Sequence, residues 1–208
     1  MKPGESQRAW HGGQGRSLSG LTAMAQAAVA ERLAPGMPAI DATVGNGHDT
    51  LFLARQVGTT GQVYGFDLQA SALAAASARL LAAGVADRVS LIHAGHETMA
   101  EHLPATLQGR VQAIMFNLGY LPGSDRQCIT RAASTLPALR QALSWLTPGG
   151  LLTVLAYRGH AGGAEEADAV AHWLQGLESS AYQVARQFSE EPRGTGPELG
   201  LVYRRLNR

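Results

Sequence analysis

Residues 41–50 read Asp-Ala-Thr-Val-Gly-Asn-Gly-His-Asp-Thr, directly after the apolar stretch Met37-Pro38-Ala39-Ile40. A short strand closing on Asp41 is followed by Gly45, Gly47 and a helical pattern opening near His48. Glycines at the carboxyl end of a strand allow a tight turn and close approach of a ligand to the backbone. Alone, the Gly-x-Gly is compatible with a dinucleotide site, another nucleoside site, or a plain strand-to-helix turn. The dinucleotide fingerprint places a third glycine three residues on, to let helix and strand pack closely; here that position is Thr50.

Beyond this stretch the chain alternates. Short apolar runs predict strands over 39–44, 62–67, 89–94, 112–117 and 151–157. Ala- and Leu-rich segments predict helices near 48–57, 69–84, 97–107, 131–146 and 163–177. Strands separated by helices indicate an α/β fold with a doubly wound parallel sheet. The ending differs: "AYQVARQFSE" and "PELGLVYRRLN" flank the turn "EPRGTGP" and predict an antiparallel hairpin that closes the sheet. Ahead of everything, Ser17 or Ser19 can cap a helix running to about Ala34, where Pro35-Gly36 ends it. Residues 1–17 are polar and Gly-rich and read as a flexible tail ahead of one domain over 18–208.

Composition narrows the function. The 208 residues are 45% hydrophobic and 16% charged, enough for a real core. A net charge of +1 argues against holding nucleic acid by bulk electrostatics, but not against docking a folded RNA locally. One cysteine, Cys128, allows neither an intrachain disulfide nor a cysteine-based zinc site, and the seven histidines show no metal-ligand spacing. No apolar stretch approaches the roughly 20 residues that span a bilayer, and the N-terminus has no signal-peptide core. A cytoplasmic enzyme is the expectation.

Two further loops bear on the ligand. The second strand ends in "GFDLQ", where Asp67, about twenty residues past the glycines, can accept both hydroxyls of a ribose, with Gln69 just beyond. The fourth strand ends in "FNLGYLPG" (116–123), an unusual exit containing Asn117, Leu118, Gly119 and Tyr120. "LTPGG" (146–150) introduces the fifth strand.

Together these resemble the class I S-adenosylmethionine-dependent methyltransferases. Their pattern is an acid-x-Gly-x-Gly first loop, an acid ending the second strand, and a Pro-Gly-Gly turn before the fifth. The resemblance implies a Rossmann-like, seven-stranded, mostly parallel sheet with a reversed terminal hairpin. It also implies S-adenosylmethionine held by Asp41, Gly45, Asn46, Gly47, His48, Asp49, Thr50, Asp67, Gln69, His96, Asn117 and Leu118. Many members carry an acid after the third strand to meet the adenine; this chain has "HAGHETM" there, leaving His96, Glu97 or the backbone alone for that contact. Amine methyltransferases place Asp/Asn/Ser-Pro-Pro-aromatic at the end of the fourth strand. "NLGY" resembles that motif in its first and last positions, with Leu118 and Gly119 replacing both prolines. The Asn117 side-chain carbonyl and the backbone carbonyl of Leu118 can then hold an amine's hydrogens, while Tyr120 stacks on a planar base.

The match narrows further. "DATVGNGHDTLFLA", "GFDLQ", "NLGYLPGSD" and "AYRGHAGGAEEADAV" resemble the bacterial YtqB-like (MnmM) family of rRNA methylases over roughly residues 20–206. That family implies methylation of the aminomethyl group of 5-aminomethyl-2-thiouridine at the tRNA wobble position. Arg158 stands where relatives carry a histidine, and His160 remains in place. A primary alkylamine must lose a proton before attacking, and Asp125 and His160 are the candidates to accept it or to align the amine. Arg126, Arg131 and Arg158 are expected to flank the mouth and meet phosphates of the anticodon region. The apolar faces of the N-terminal helix and of the Pro137–Leu146 helix can pack internally or across a homodimer. The rival readings are methylation of rRNA or of a small-molecule or protein amine, an aminopropyl transferase, and a non-catalytic RNA-binding module on the same fold.

Overall fold

The computed structural model describes residues 20–119, 129–189 and 196–206. The tail and helix cap expected before residue 20, and Tyr120, Asp125 and Arg126, lie outside the described residues. Seven strands form one sheet: β1 (Ala39–Asp41), β2 (Val63–Asp67), β3 (Val89–His93), β4 (Val111–Leu118), β5 (Leu146–Ala156), β6 (Tyr182–Phe188) and β7 (Glu198–Arg204). Their spatial order is β3-β2-β1-β4-β5-β7-β6. All neighbours run parallel except β7, which is antiparallel to both β5 and β6. The central strands are buried on both faces, so β4 reads as the near-continuous apolar run VQAIMFNL.

Helices cover both faces. On one side lie α1 (Gly20–Ala30), α2 (His48–Gln56) and α3 (Ala70–Ala82), joined in a core through Leu21, Ala25, Leu53, Ala54 and Leu80. On the other lie α4 (Met99–His102), α5 (Ala132–Trp145) and α6 (Gly163–Gln175), joined through Met99, Leu139, Ala142, Val170 and Leu174. The apolar faces of α1 and α5 are therefore occupied within the chain. The strand order reverses between β1 and β4, and at such a switch point a crevice opens outside the carboxyl ends of the strands.

Three elements differ from their sequence expectation. The first strand stops at Asp41 instead of residue 44. The next residues splay between its neighbours: Ala42 N–H donates to Met115 O at 2.9 Å, and Val44 N–H to Phe66 O at 3.0 Å. The helix expected over 97–107 is broken into a 3-10 turn (His96–Thr98), the four-residue α4, and a second 3-10 turn (Ala105–Leu107). Pro104 forces Leu103 into an extended conformation, which ends α4. Finally, β5 already begins at Leu146; its pairing with β4 shifts register between Val111 and Ala113, across the turn where Gly149 takes φ +80°.

Candidate active site

Because β1 ends two residues short of its partners' register, Asp67 on β2 and Asn117 on β4 flank the loop that follows it. That loop is pinned by carboxylates. Asp41 is buried (1% exposed); it accepts the Thr43 N–H at 3.1 Å and the Thr50 hydroxyl at 2.6 Å. Burial, and then the neighbouring charge of Asp49, push the Asp41 carboxyl up to about 7, against the two hydrogen bonds. Asp67 accepts the Gly45 N–H with one oxygen and the Gln69 N–H with the other, both at 2.8 Å. Arg79 of α3 steadies the far side, donating to Asn46 O at 2.7 Å and lying 3.3 Å from His48 Nε2.

Gly47 has a packing role. It sits at φ +74°, and a Cβ there would lie 2.7 Å from the Ala76 Cβ. The missing side chain lets the start of α2 press against α3.

Asn117 is held from two sides. Its backbone N–H donates to Thr43 Oγ1 at 2.7 Å, and its Nδ2 donates to Asp49 Oδ2 in a short hydrogen bond. Asp49 Oδ1 in turn accepts from Gln26 Nε2 of α1 at 2.6 Å. Burial raises the Asp49 carboxyl, and the Gln26 and Asn117 hydrogen bonds oppose that rise. The second polar atom of the Asn117 amide, Oδ1, is buried and has no partner among the described residues.

A second acceptor stands nearby. His96 is 7% exposed, its ring set edge-on against Phe116 with centroids 5.6 Å apart. Its Nδ1 lies 3.2 Å from the Ala42 carbonyl, which can only accept, so the shared hydrogen belongs to Nδ1. Burial lowers the imidazole pKa and keeps the ring neutral, leaving a lone pair on Nε2. That atom too is buried without a partner among the described residues. Beside it the Glu97 carboxylate folds back over Gly95, while Gln141 of α5 holds the Glu97 carbonyl at 2.6 Å.

The exit of β4 is fastened to α6. Gly119 N–H donates to the Thr130 hydroxyl at 2.8 Å, and Thr130 N–H returns to Gly119 O at 3.1 Å. The Thr130 hydroxyl donates to Glu166 Oε2 at 2.7 Å, and Thr135 to Glu166 Oε1 at 2.6 Å. Glu166 is buried, so this network ties both ends of the segment carrying Tyr120 and Asp125 to the domain interior. His160 approaches from the end of β5, with Nε2 3.7 Å from where a Cβ on Gly119 would stand. Arg158 does not reach outward; it pairs with Asp168 of α6 at 2.6 Å. Arg131, at the N-cap of α5, is exposed.

These groups surround a cavity of about 730 Å3. Of the residues expected from the sequence, Gly45, Asn46, His48, Asp49, Asp67, Gln69, His96, Asn117, Leu118 and His160 line it. Asp41, Gly47 and Thr50 stand behind the wall: Asp41 and Thr50 bond each other, and Gly47 faces α3. Sequence reading missed Gln26, Thr43, Arg79, Thr130 and Glu166. Thr43 lay inside the motif as an unremarkable hydroxyl, whereas Gln26, Arg79 and Glu166 reach the site from distant helices and Thr130 from the loop before α5.

A family model described as "Putative rRNA methylase" matches residues 63–199. The chain is 38% identical over 180 residues to a protein of Arabidopsis thaliana named tRNA (mnm(5)s(2)U34)-methyltransferase, chloroplastic. That alignment takes in 83% of this chain and 65% of the Arabidopsis protein, just under two thirds of its length. The crystal structure of a "putative rRNA-methylase" from Clostridium thermocellum superposes with a TM-score of 0.84 at 34% identity, over 90% of this chain and 99% of that one. SMU.1697c of Streptococcus mutans, a methyltransferase by description and solved in complex with SAH, superposes with a TM-score of 0.78 at 31% identity, over 90% and 99% of the two chains.

Proposed function

The chain belongs to the rRNA methylase family, and from that premise we propose that it is an S-adenosylmethionine-dependent N-methyltransferase acting on tRNA. Its substrate in this reading is the aminomethyl group of 5-aminomethyl-2-thiouridine at the wobble position; its product is 5-methylaminomethyl-2-thiouridine. One observation carries the reading: the Asn117 Oδ1 acceptor, buried in the cavity wall without a partner among the described residues. A buried acceptor is costly unless a ligand brings a donor, and an amine N–H is such a donor.

The residues fit the methyl donor. A 730 Å3 cavity is of the size that encloses a small ligand. Each Asp67 oxygen accepts one backbone N–H and keeps a lone pair for a ribose hydroxyl. His96 Nε2 offers an acceptor to an exocyclic adenine amine. S-adenosylmethionine, when bound, supplies an electrophilic methyl carbon.

The chain's part is then positioning and proton handling. Asn117 Oδ1 and the Leu118 carbonyl hold the amine's hydrogens, so its lone pair points into the cavity. The ammonium form must first release a proton, for which Asp125 and His160 are the proposed acceptors. Tyr120 stacks on the base. A single splayed base needs only a local site, which suits the net charge of +1; of the arginines expected at the mouth, Arg131 is exposed and open to a phosphate, and Arg158 is paired with Asp168. The name of the Arabidopsis relative and the SAH bound to the Streptococcus protein support this reading.

Mass spectrometry of nucleosides tests it. Purified protein and S-adenosylmethionine are incubated with tRNA bearing 5-aminomethyl-2-thiouridine, and with rRNA in parallel because the family model names it. One added methyl on the tRNA nucleoside is the expected result. Methylated rRNA with unchanged tRNA would overturn the substrate and keep the chemistry.

A further inference from the structure

The Asn117 amide has two polar ends of nearly equal shape, and only one orientation presents an acceptor to the cavity. What selects that orientation is a neighbour in the same cavity wall, Asp49, backed by Gln26 of α1. Asp49 as a carboxylate accepts on both oxygens and donates on neither. It takes Gln26 Nε2 on Oδ1 at 2.6 Å and Asn117 Nδ2 on Oδ2. With the NH2 of Asn117 committed to Asp49, its carbonyl oxygen is the free end of a side chain in the cavity wall, buried and unpartnered among the described residues.

We propose that Gln26 and Asp49 are positioning residues that act through Asn117: a three-member chain of hydrogen bonds from α1 sets the polarity of the amide that receives the substrate amine. The role of Asn117 toward the amine rests on the function proposed above; the orientation of its side chain does not. The chain has a strict donor–acceptor logic. A donor at position 26 with a carboxylate at 49 turns the Asn117 oxygen inward. In Asp49→Asn the carboxylate becomes an amide, and the outcome depends on position 26. An acceptor there draws the NH2 of the new amide toward itself, so the oxygen of that amide still receives the Asn117 NH2. A donor there draws the oxygen instead, so an NH2 faces Asn117 and the Asn117 amide must flip.

Two double variants separate this from a charge or folding effect. Gln26→Glu/Asp49→Asn is expected to retain the acceptor and to methylate at least about ten times faster than the second double. Gln26→Lys/Asp49→Asn is expected to present an NH2 to the amine and to lose kcat by about 30-fold or more, as loss of a hydrogen bond to a charged or polarised group does. Gln26→Lys alone keeps the wild-type polarity. Thermal unfolding and S-adenosylhomocysteine binding confirm that each variant is folded and loaded.

A readout independent of methyl transfer accompanies the kinetics: solvent exchange of the Asn117 side-chain NH2, followed by NMR on the protein alone. It should be slow in wild type and in Gln26→Glu/Asp49→Asn, and fast in Gln26→Lys/Asp49→Asn. Equal exchange and equal activity in the two doubles would overturn the proposal. Equal loss in both, with folding and S-adenosylhomocysteine affinity intact, would overturn it too, because the charge of Asp49 would then be what matters. A wild-type protein that leaves the tRNA unmethylated but shows the exchange pattern would refute the substrate and retain the relay.

Discussion

The Asp67 carboxylate accepts the Gly45 backbone N–H at 2.8 Å, joining the end of β2 to the glycine loop that follows β1. With its other oxygen it accepts the Gln69 N–H at the same distance, so both oxygens face donors. An amide at this position offers one acceptor and one donor, and its NH2 would meet a backbone N–H. Asp67→Asn is therefore expected to weaken S-adenosylhomocysteine binding by about 10- to 100-fold, the scale of a lost charge-assisted hydrogen bond. Isothermal calorimetry on the two proteins checks this.

Asp41 predicts a pH dependence of stability. Its carboxyl is pushed up to about 7 in the folded chain, whereas the unfolded chain releases that proton near the ordinary value of about 4. Between these values the folded state binds more protons, so this group's contribution falls as pH rises and is fully present only below about 4. His96 acts with the opposite sign. Its lowered pKa means the unfolded chain binds the extra proton, so stability rises with pH toward the ordinary histidine range. Urea unfolding of wild type and Asp41→Asn from pH 5 to 8 isolates the first effect, because His96 is common to both. The stability difference, wild type minus variant, should decrease from pH 5 to about 7 and level off above that.

Gly47 combines φ +74° with an α3 neighbour 2.7 Å from the position of an added Cβ. Gly47→Ala is expected to cost about 2–4 kcal/mol from left-handed backbone strain and overpacking together. Ala76→Gly in the same chain removes the Cβ contact but leaves the backbone Cα of that position 2.8 Å away, so it should recover only a small part of that loss. Denaturant midpoints of the three variants give the answer.

At the exit of β4, the Thr130 hydroxyl accepts from Gly119 N–H and donates to the buried Glu166. Thr130→Val keeps the shape and strips both bonds, and should cost about 2–4 kcal/mol because a backbone N–H and a carboxylate oxygen lose their partner. Thr130→Ser retains the hydroxyl and should stay within about 1 kcal/mol of wild type. The kcat of the valine variant is expected to fall more than its affinity for S-adenosylhomocysteine, since the clamp holds the strand exit and not the ribose acid.

The sheet was legible because its signals are local. Buried parallel strands are continuous apolar runs, as in VQAIMFNL of β4, and the terminal hairpin announced itself by its Pro/Gly-rich turn. Asp67 and Asn117 were legible for the same reason, each closing such a run. The end of β1 was not: nothing in Ala42-Thr43-Val44 shows that these residues splay toward β4 and β2. Nor could spacing reveal that Asp41 and Thr50 bond each other behind the cavity wall, or that Gly47 is small for the sake of Ala76. The supporting set of Gln26, Arg79, Thr130 and Glu166 depends on tertiary approach. Each reads locally as an ordinary helix or turn residue.

The most direct test of the central claim is single-turnover methyl transfer by Asn117→Ala to tRNA bearing 5-aminomethyl-2-thiouridine, measured beside its S-adenosylhomocysteine affinity. If Asn117 Oδ1 receives the amine, the transfer rate falls by about 100-fold or more while the affinity changes by no more than a few-fold. An unchanged transfer rate in a folded, cofactor-binding variant would contradict the account.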